Sequence, residues 1–367
     1  MTMLARWLAR AAVLAIAGAV TLGVVLAPAQ AASSPRWRVA RVFAGPGQDF
    51  AVSAAGSGDA WVSGVTGPYR LDVERWNGSS WQRIAPPAHL GRVSLDNLIA
   101  PVGASSAGNA WVFPTVDQGT SVESFALHWN NGRWTSTRLP AQATIYDTAV
   151  FSPHDAWAFG FIGSGSHAAP YDLRYRGRLW RRLRLPATPD AVSALSADNM
   201  WAVGPSAATA AKPSSRQITL AMHWNGHIWS AVRVPVPVLR PGGGLDAAIA
   251  ATGADSLWLA YIDFDRNGGF VSNGMLHWDG ARWHRLTLPA HFTFFLNSMA
   301  QDGRGGLFIC SPVAIYHYSA GRWTRQQLPG PHPDQIGLDA LAWIPGTASA
   351  LAVGERGFHG LILRYGP

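Results

Sequence analysis

The sequence predicts an all-β chain: a seven-bladed β-propeller of four-stranded antiparallel blades, closed by an N-terminal strand that completes the last blade. Three observations carry this. First, one phrase returns along the chain: a small residue, Trp, two residues and Gly, then, about twenty residues on, an aromatic, Asn-Gly and a second Trp. Asp59-Ala60-Trp61-Val62-Ser63-Gly64 leads to Trp76-Asn77-Gly78-Ser79-Ser80-Trp81, and the phrase restarts at Trp111, Trp157, Trp201 and Trp258, with worn copies at Phe308 and Leu351. Second, the second Trp recurs at Trp81, Trp134, Trp180, Trp229, Trp283 and Trp323, one copy fewer than the first. Third, the missing copy lies at the other end, where Trp37-Arg38-Val39-Ala40-Arg41-Val42 matches the Trp-led strand. A solenoid needs caps; a ring needs this exchange between its ends.

Each repeat reads as strands A to D. Strand A is small and apolar, as in Ala191-Val192-Ser193-Ala194-Leu195, which suits a crowded axis. Strand B carries the first Trp. Strand C ends in His-Trp or Arg-Trp. Asn-Gly makes the C–D turn because both residues tolerate positive φ. Strand D starts at the second Trp and stops at a Pro such as Pro140, Pro186, Pro235, Pro289 or Pro329, which suits a sheet edge.

Asp155-Ala156-Trp157-Ala158-Phe159-Gly160, Met200-Trp201-Ala202-Val203-Gly204 and His223-Trp224-Asn225-Gly226-His227-Ile228-Trp229 resemble repeats of secreted bacterial β-propellers. They are broadly similar to the kelch, galactose-oxidase-like and Asp-box groups. The likeness departs from kelch, since no repeat has the double Gly after strand B, and from the Asp-box, whose Ser-x-Asp-x-Gly spacing is absent. It therefore implies a fold and transfers no active site.

Arg6 and Arg10, the apolar run Ala11–Leu26 and Ala29-Gln30-Ala31 predict a secretory signal peptide over residues 1–31, with one propeller domain over 32–367 and a secreted, extracellular product. The alternative is an uncleaved anchor. No later segment is apolar for long enough to form a transmembrane helix. Cys310 is the single Cys, so no internal disulfide forms and stability must come from a large core. The formal charge is +8, carried almost wholly by Arg. A modestly basic exported protein meets cell-wall polymers, lipids or glycans before nucleic acid, so no nucleic-acid partner is expected.

The 18 Trp residues invite a sugar-binding reading. Their positions in the repeat explain nearly all of them as packing between blades. His128, His223, His277 and His317 precede the strand C aromatic, with Arg75, Arg174 and Arg364 in the other copies. A catalytic or zinc-binding His would not be copied around a ring, so these read as buried donors with a nearby acceptor. Asp59, Asn109, Asp155 and Asn199 read as A–B turn residues.

Just before strand A stand Asp49, Asp96, Asp147, Asp190, Asp246 and Asp339, with Asn297 in the remaining copy. They should ring one mouth of the central channel. Turn chemistry alone explains such a column; the functional reading is a ligand-binding ring for a cation or cationic group. Asp263-Phe264-Asp265-Arg266-Asn267-Gly268 begins like a calcium loop, with Asp263, Asp265 and Asn267 as the metal-ligand candidates, although Gly274 stands where the closing Glu belongs. The Arg174, Arg176, Arg178, Arg181, Arg182, Arg184 cluster reads either as protection of an edge strand or as an anion-binding flank. The long B–C segments and the aromatic loop His291-Phe292-Thr293-Phe294-Phe295 share the face of the acidic column.

The expected function is a secreted, non-catalytic binding or scaffold propeller, monomeric, holding an extracellular or cell-wall ligand or protein at the channel mouth. The alternative is a hydrolase or lyase acting on extracellular polysaccharide. Tyr146, Asp147, Arg240, Asp263 and Asp265 are its candidates, but no spacing joins them into a mechanism.

Overall fold

The computed structural model describes residues 34–94, 100–117, 122–163, 169–207, 218–237, 243–288, 296–330 and 332–366. The expected signal peptide, Asp96, Arg240 and His291–Phe295 lie outside the described residues. Strands dominate, and three of the sheets are four-stranded meanders whose strands pair in chain order. Ala191–Ser196, Asn199–Pro205, Thr219–Trp224 and Trp229–Arg233 form one sheet. Gly244–Gly253, Ser256–Phe264, Phe270–Trp278 and Trp283–Leu286 form the next, followed by Ser298–Gln301, Leu307–Ser311, Ala314–Ser319 and Arg322–Arg325.

One strand serves two sheets. The early part of Arg36–Gly56 pairs antiparallel with His359–Gly366, placing Trp37 opposite Tyr365, and its later part pairs with Asp59–Thr66. The exchange between chain ends read from Trp37 is therefore present. The innermost strands also close on themselves. Arg36–Gly56 touches Val102–Ser106, which touches Ala143–Ser152, then in turn Ala191–Ser196, Gly244–Gly253, Ser298–Gln301 and Ile336–Trp343, which returns to Arg36–Gly56. A short ribbon, Arg92–Val93 paired with Thr115–Asp117, is an addition that the repeat did not foretell.

The core lies between sheets, not within one. Trp157 (1 % exposed) packs with Phe159, Met200 and Trp224, and its ring stands edge-on to Trp229 at 5.9 Å. Trp37 meets Phe308 at 5.5 Å and Tyr365 at 5.4 Å. Aromatic pairs in these geometries add about 0.5–1.5 kcal/mol to the area they bury.

The repeated phrase ends in Gly for a steric reason. A Cβ on Gly160 would collide with the carbonyl oxygen of Thr144, and one on Gly354 with that of Gly337. Opposite these glycines the inner strand bulges: pairing jumps between Ile145 and Asp147, and between Leu338 and Ala340. Each bulge lets the inner strand bend toward the channel mouth, and a column residue sits at it. Gly160→Ala is expected to cost about 1–3 kcal/mol, because bulge and strand must part. Urea denaturation checks this; an unchanged midpoint would mean the bulge yields freely.

Candidate functional site

A cavity of about 680 Å³ runs along the ring axis, walled by inner-strand residues among which Ala is the commonest. Asp147, Asp190, Asn297 and Asp339 of the acidic column line it. Asp246 lies near the start of the neighbouring inner strand, Gly244–Gly253, close enough for its charge to act on Asp190. The side chain of Asp49, like all of Asp96, lies outside the described residues.

The column divides into two groups by what its oxygens do. Asp147 accepts from the Thr148 N–H at 2.7 Å and, across the gap between sheets, from the Val192 N–H at 3.1 Å. Asp339 accepts from the Phe50 N–H at 2.9 Å, and Asn297 donates to the Leu338 carbonyl at 2.5 Å. Deeper in the channel, Ser53, Ser193 and Ser298 accept from the N–H groups of Ala104, Ala251 and Leu341 on the following inner strands. These side chains tie adjacent sheets together around the axis. The column is thus more than local turn chemistry, because its hydrogen bonds reach the next sheet. Asp190 and Asp246 are different. Asp190 lines the channel and Asp246 stands close to it; each keeps solvent access on one side, and among the described residues neither side chain ties two sheets together in this way.

Burial raises the carboxyls here. It pushes Asp147 up to about 7 against the pull of its two N–H donors, and Asp190 up to about 7 with the Asp246 charge adding to the effect. Asp246 is raised by burial as well. Asp172 (1 % exposed) is also pushed by burial to about 7, and its Oδ1 has no hydrogen-bond partner. Tyr146 donates its hydroxyl proton to the Pro189 carbonyl, and burial raises it strongly.

These shifts have a sign. A carboxyl whose folded pKa lies above its unfolded value keeps its proton longer in the folded state. Its contribution is fully present below about pH 4 and is lost as pH rises through about 7. The histidines act oppositely: burial lowers His128 to about 4 and also lowers His223 and His277, so acid below about pH 6.5 favours the unfolded chain. Asp172→Asn separates the two effects. It is expected to melt above the wild type near pH 8, with the gap closing toward about pH 5. A constant gap, or a variant less stable at pH 8, would contradict ionisation of a buried Asp172.

At the opposite end of the sheets the strand C donors find partners, three of which, Asn109, Asp155 and Asn199, sequence reasoning had treated as plain turn residues. His128 meets Asn109 Oδ1 at 2.7 Å, His223 meets Asn199 Oδ1 at 3.0 Å, His277 meets Ser256 Oγ at 2.9 Å and His317 meets Asp302 Oδ2 at 2.8 Å. Arg174 donates twice to Asp155, at 3.0 and 2.8 Å. Each of these rings stacks on the strand B aromatic: His128 on Trp111 at 4.0 Å, His277 on Trp258 at 4.0 Å, His317 on Phe308 at 4.3 Å. The paired appearance of an Asn, Asp or Ser two residues before the first Trp (in worn form, further back) and a His or Arg in strand C was the signal.

In the calcium-like loop, Asp265 Oδ1 accepts from the Asn267 and Gly269 N–H groups at 2.8 Å each. Asp263 is buried in its strand and receives the Ser272 hydroxyl at 3.5 Å, whereas Asp265 is exposed. Among the described residues no group of three or more His, Cys, Asp and Glu side chains could hold a metal ion. Cys310 is fully buried, and burial raises its thiol, so it serves as core. Among the described residues no helix is long and apolar enough to cross a membrane.

No protein-family model matches the chain, and no curated protein matches it. Solved structures do, and they are β-propellers. YCF48 bound to a D1 peptide aligns with TM-score 0.53 and 11 % identity, over 90 % of this chain and 97 % of that one. YCF48 from Cyanidioschyzon merolae gives 0.52 and 12 %, over 90 % and 99 %. The GH74 xyloglucanase from Xanthomonas campestris gives 0.54 and 16 %, over 88 % of this chain and 52 % of that one. At such identities the likeness establishes the fold alone: this chain is a β-propeller.

Proposed function

We propose that the chain is a secreted, non-catalytic binding propeller of seven four-stranded blades, broadly of the kelch and galactose-oxidase-like kind. It acts as a monomer outside the cell, and its ligand is an extracellular or cell-wall molecule or protein presenting a cationic group to Asp190 and Asp246 at the channel mouth. One observation carries the reading: within a column whose other described members tie blades together, Asp190 lines the channel with Asp246 close by, and the charge of Asp246 opposes ionisation of Asp190. A cation there relieves both burial and repulsion. A peptide is what YCF48 holds in its solved complex; a basic peptide is the ligand class that the carboxyl pair favours here. The test is binding of the mature protein to immobilised basic, neutral and acidic peptides and wall glycans. Selective capture of basic ligands, lost in Asp190→Asn/Asp246→Asn, is expected; retention by that variant sinks the site.

A second reading has its own observation. Asp147, Asp172 and Asp190, each raised to about 7, have the proton affinity of general acids near neutrality. In that reading the protein is a polysaccharide hydrolase or lyase. New reducing ends released from wall polysaccharide by the wild type but not by Asp190→Asn support it, and none from a broad panel ends it. Calcium at Asp263, Asp265 and Asn267 is a separate proposal. A rise in melting temperature with calcium over chelator, absent in Asp265→Ala, supports it, and no rise at millimolar calcium removes it.

A further inference from the structure

A second pocket lies away from the axis, between the sheet that carries Trp157 and the one that carries Trp224. Its volume is about 270 Å³, and Arg174, Arg176, Arg181, Arg184, Trp224 and Trp229 are among its walls. Arg174 forms the floor, its guanidinium 4.4 Å from the Trp157 ring centre and 5.3 Å from that of Trp224, with its charge met by Asp155 at 2.8 Å. Arg176, Arg181 and Arg184 are exposed at the rim, and among the described residues none forms an ion pair with a carboxylate. Arg181 stands directly opposite Arg174 in the strand register. Like charges so placed repel, and an anion between them removes the repulsion.

Edge protection does not account for this arrangement. Arg176 is the last residue of strand C, Leu173–Arg176, not of the outer strand, and Arg181 faces the pocket. The repeat is also broken here. Where Arg176 stands, other copies have Asn77, Asn130, Asn225, Asp279 and Ser319. Asn225 Oδ1 caps its turn by accepting two N–H groups at 3.0 Å, and Asp279 does the same at 3.0 and 2.9 Å. This copy lacks that cap and places a cation instead. Small-molecule pockets commonly measure about 300–1,000 Å³, so this one suits a single ring rather than a length of chain.

We infer that this pocket binds an acidic sugar unit, its carboxylate, sulfate or phosphate group held by Arg176, Arg181 and Arg184 and its ring set against Trp229. Arg presents paired donors that match such oxyanions, and Trp offers an apolar face beside them. The site is independent of the channel mouth.

The test uses the full mature chain and calorimetry with defined probes: a sulfated hexasaccharide, oligogalacturonate, a neutral glucan hexamer and a single-stranded oligonucleotide matched in charge. Variants are Arg176→Asn, the residue other copies carry, Arg181→Thr, and the distant exposed Arg133→Gln as control. Acidic saccharides are expected to bind, the neutral glucan not, and each pocket variant to weaken binding roughly tenfold, with Arg133→Gln and Asp190→Asn/Asp246→Asn unchanged. The sulfated and carboxylated probes show which oxyanion is preferred. Undiminished binding by both pocket variants, equal loss in Arg133→Gln, or an oligonucleotide binding as tightly as the saccharides would overturn the proposal.

Discussion

Asp155→Ala is expected to destabilise the protein by about 3–5 kcal/mol, the cost of leaving a buried charge without its partner. Arg174 is held between Trp157 and Trp224 with little access to water, and Asp155 is the carboxylate that meets it twice. The same position in the next repeat supplies the comparison. Asn199 serves His223, whose pKa burial has lowered, so the ring is neutral at pH 7 and Asn199→Ala strands only a neutral group, costing about 1–3 kcal/mol. Chemical denaturation of the two variants at neutral pH measures both. Equal losses would mean that Arg174 finds water or another partner when Asp155 is removed, and the ion pair would then not hold this blade together.

Trp37→Ala is the second large effect, about 3–5 kcal/mol for removing a buried Trp. Trp37 is 3 % exposed and sits where the chain's two ends meet, between Phe308 and Tyr365. The loss should far exceed that of a large side chain left in solvent. Phe358, 81 % exposed, supplies the control, and Phe358→Ala is expected to change stability by less than about 0.5 kcal/mol. A Trp37→Ala variant that behaves like Phe358→Ala would show that the ring does not depend on its N-terminal strand.

The architecture was legible because a propeller repeats its solution to a packing problem. Trp61, Trp111, Trp157, Trp201 and Trp258 recur because each fills the same gap between sheets, and Gly160 and Gly354 recur because a carbonyl approaches at the same place. The matched solved structures bear out the propeller fold. The site was legible only as a column. That Asp147 and Asp339 reach the next sheet while Asp190 and Asp246 do not depends on where each inner strand bulges, and residue type carries no trace of it. The pairing of Asn109 with His128 was visible in principle, since both columns recur in step, but a turn residue satisfies so many local bonds that its distant partner goes unnoticed. The Arg cluster was legible as either a protected strand edge or an anion-binding flank, and sequence alternation could not choose, because it does not say which neighbouring sheet faces Arg176 and Arg181.

The most direct measurement follows the Asp side-chain carboxyl carbons by NMR across a pH titration, with and without a basic hexapeptide as probe. The expected result is an Asp190 midpoint near 7 in the free protein, displaced to lower pH with Asp246 when the probe binds, while Asp265 is unmoved. An Asp190 titrating near 4, or a raised midpoint indifferent to every basic probe, would contradict a mouth built around an unsatisfied carboxyl pair.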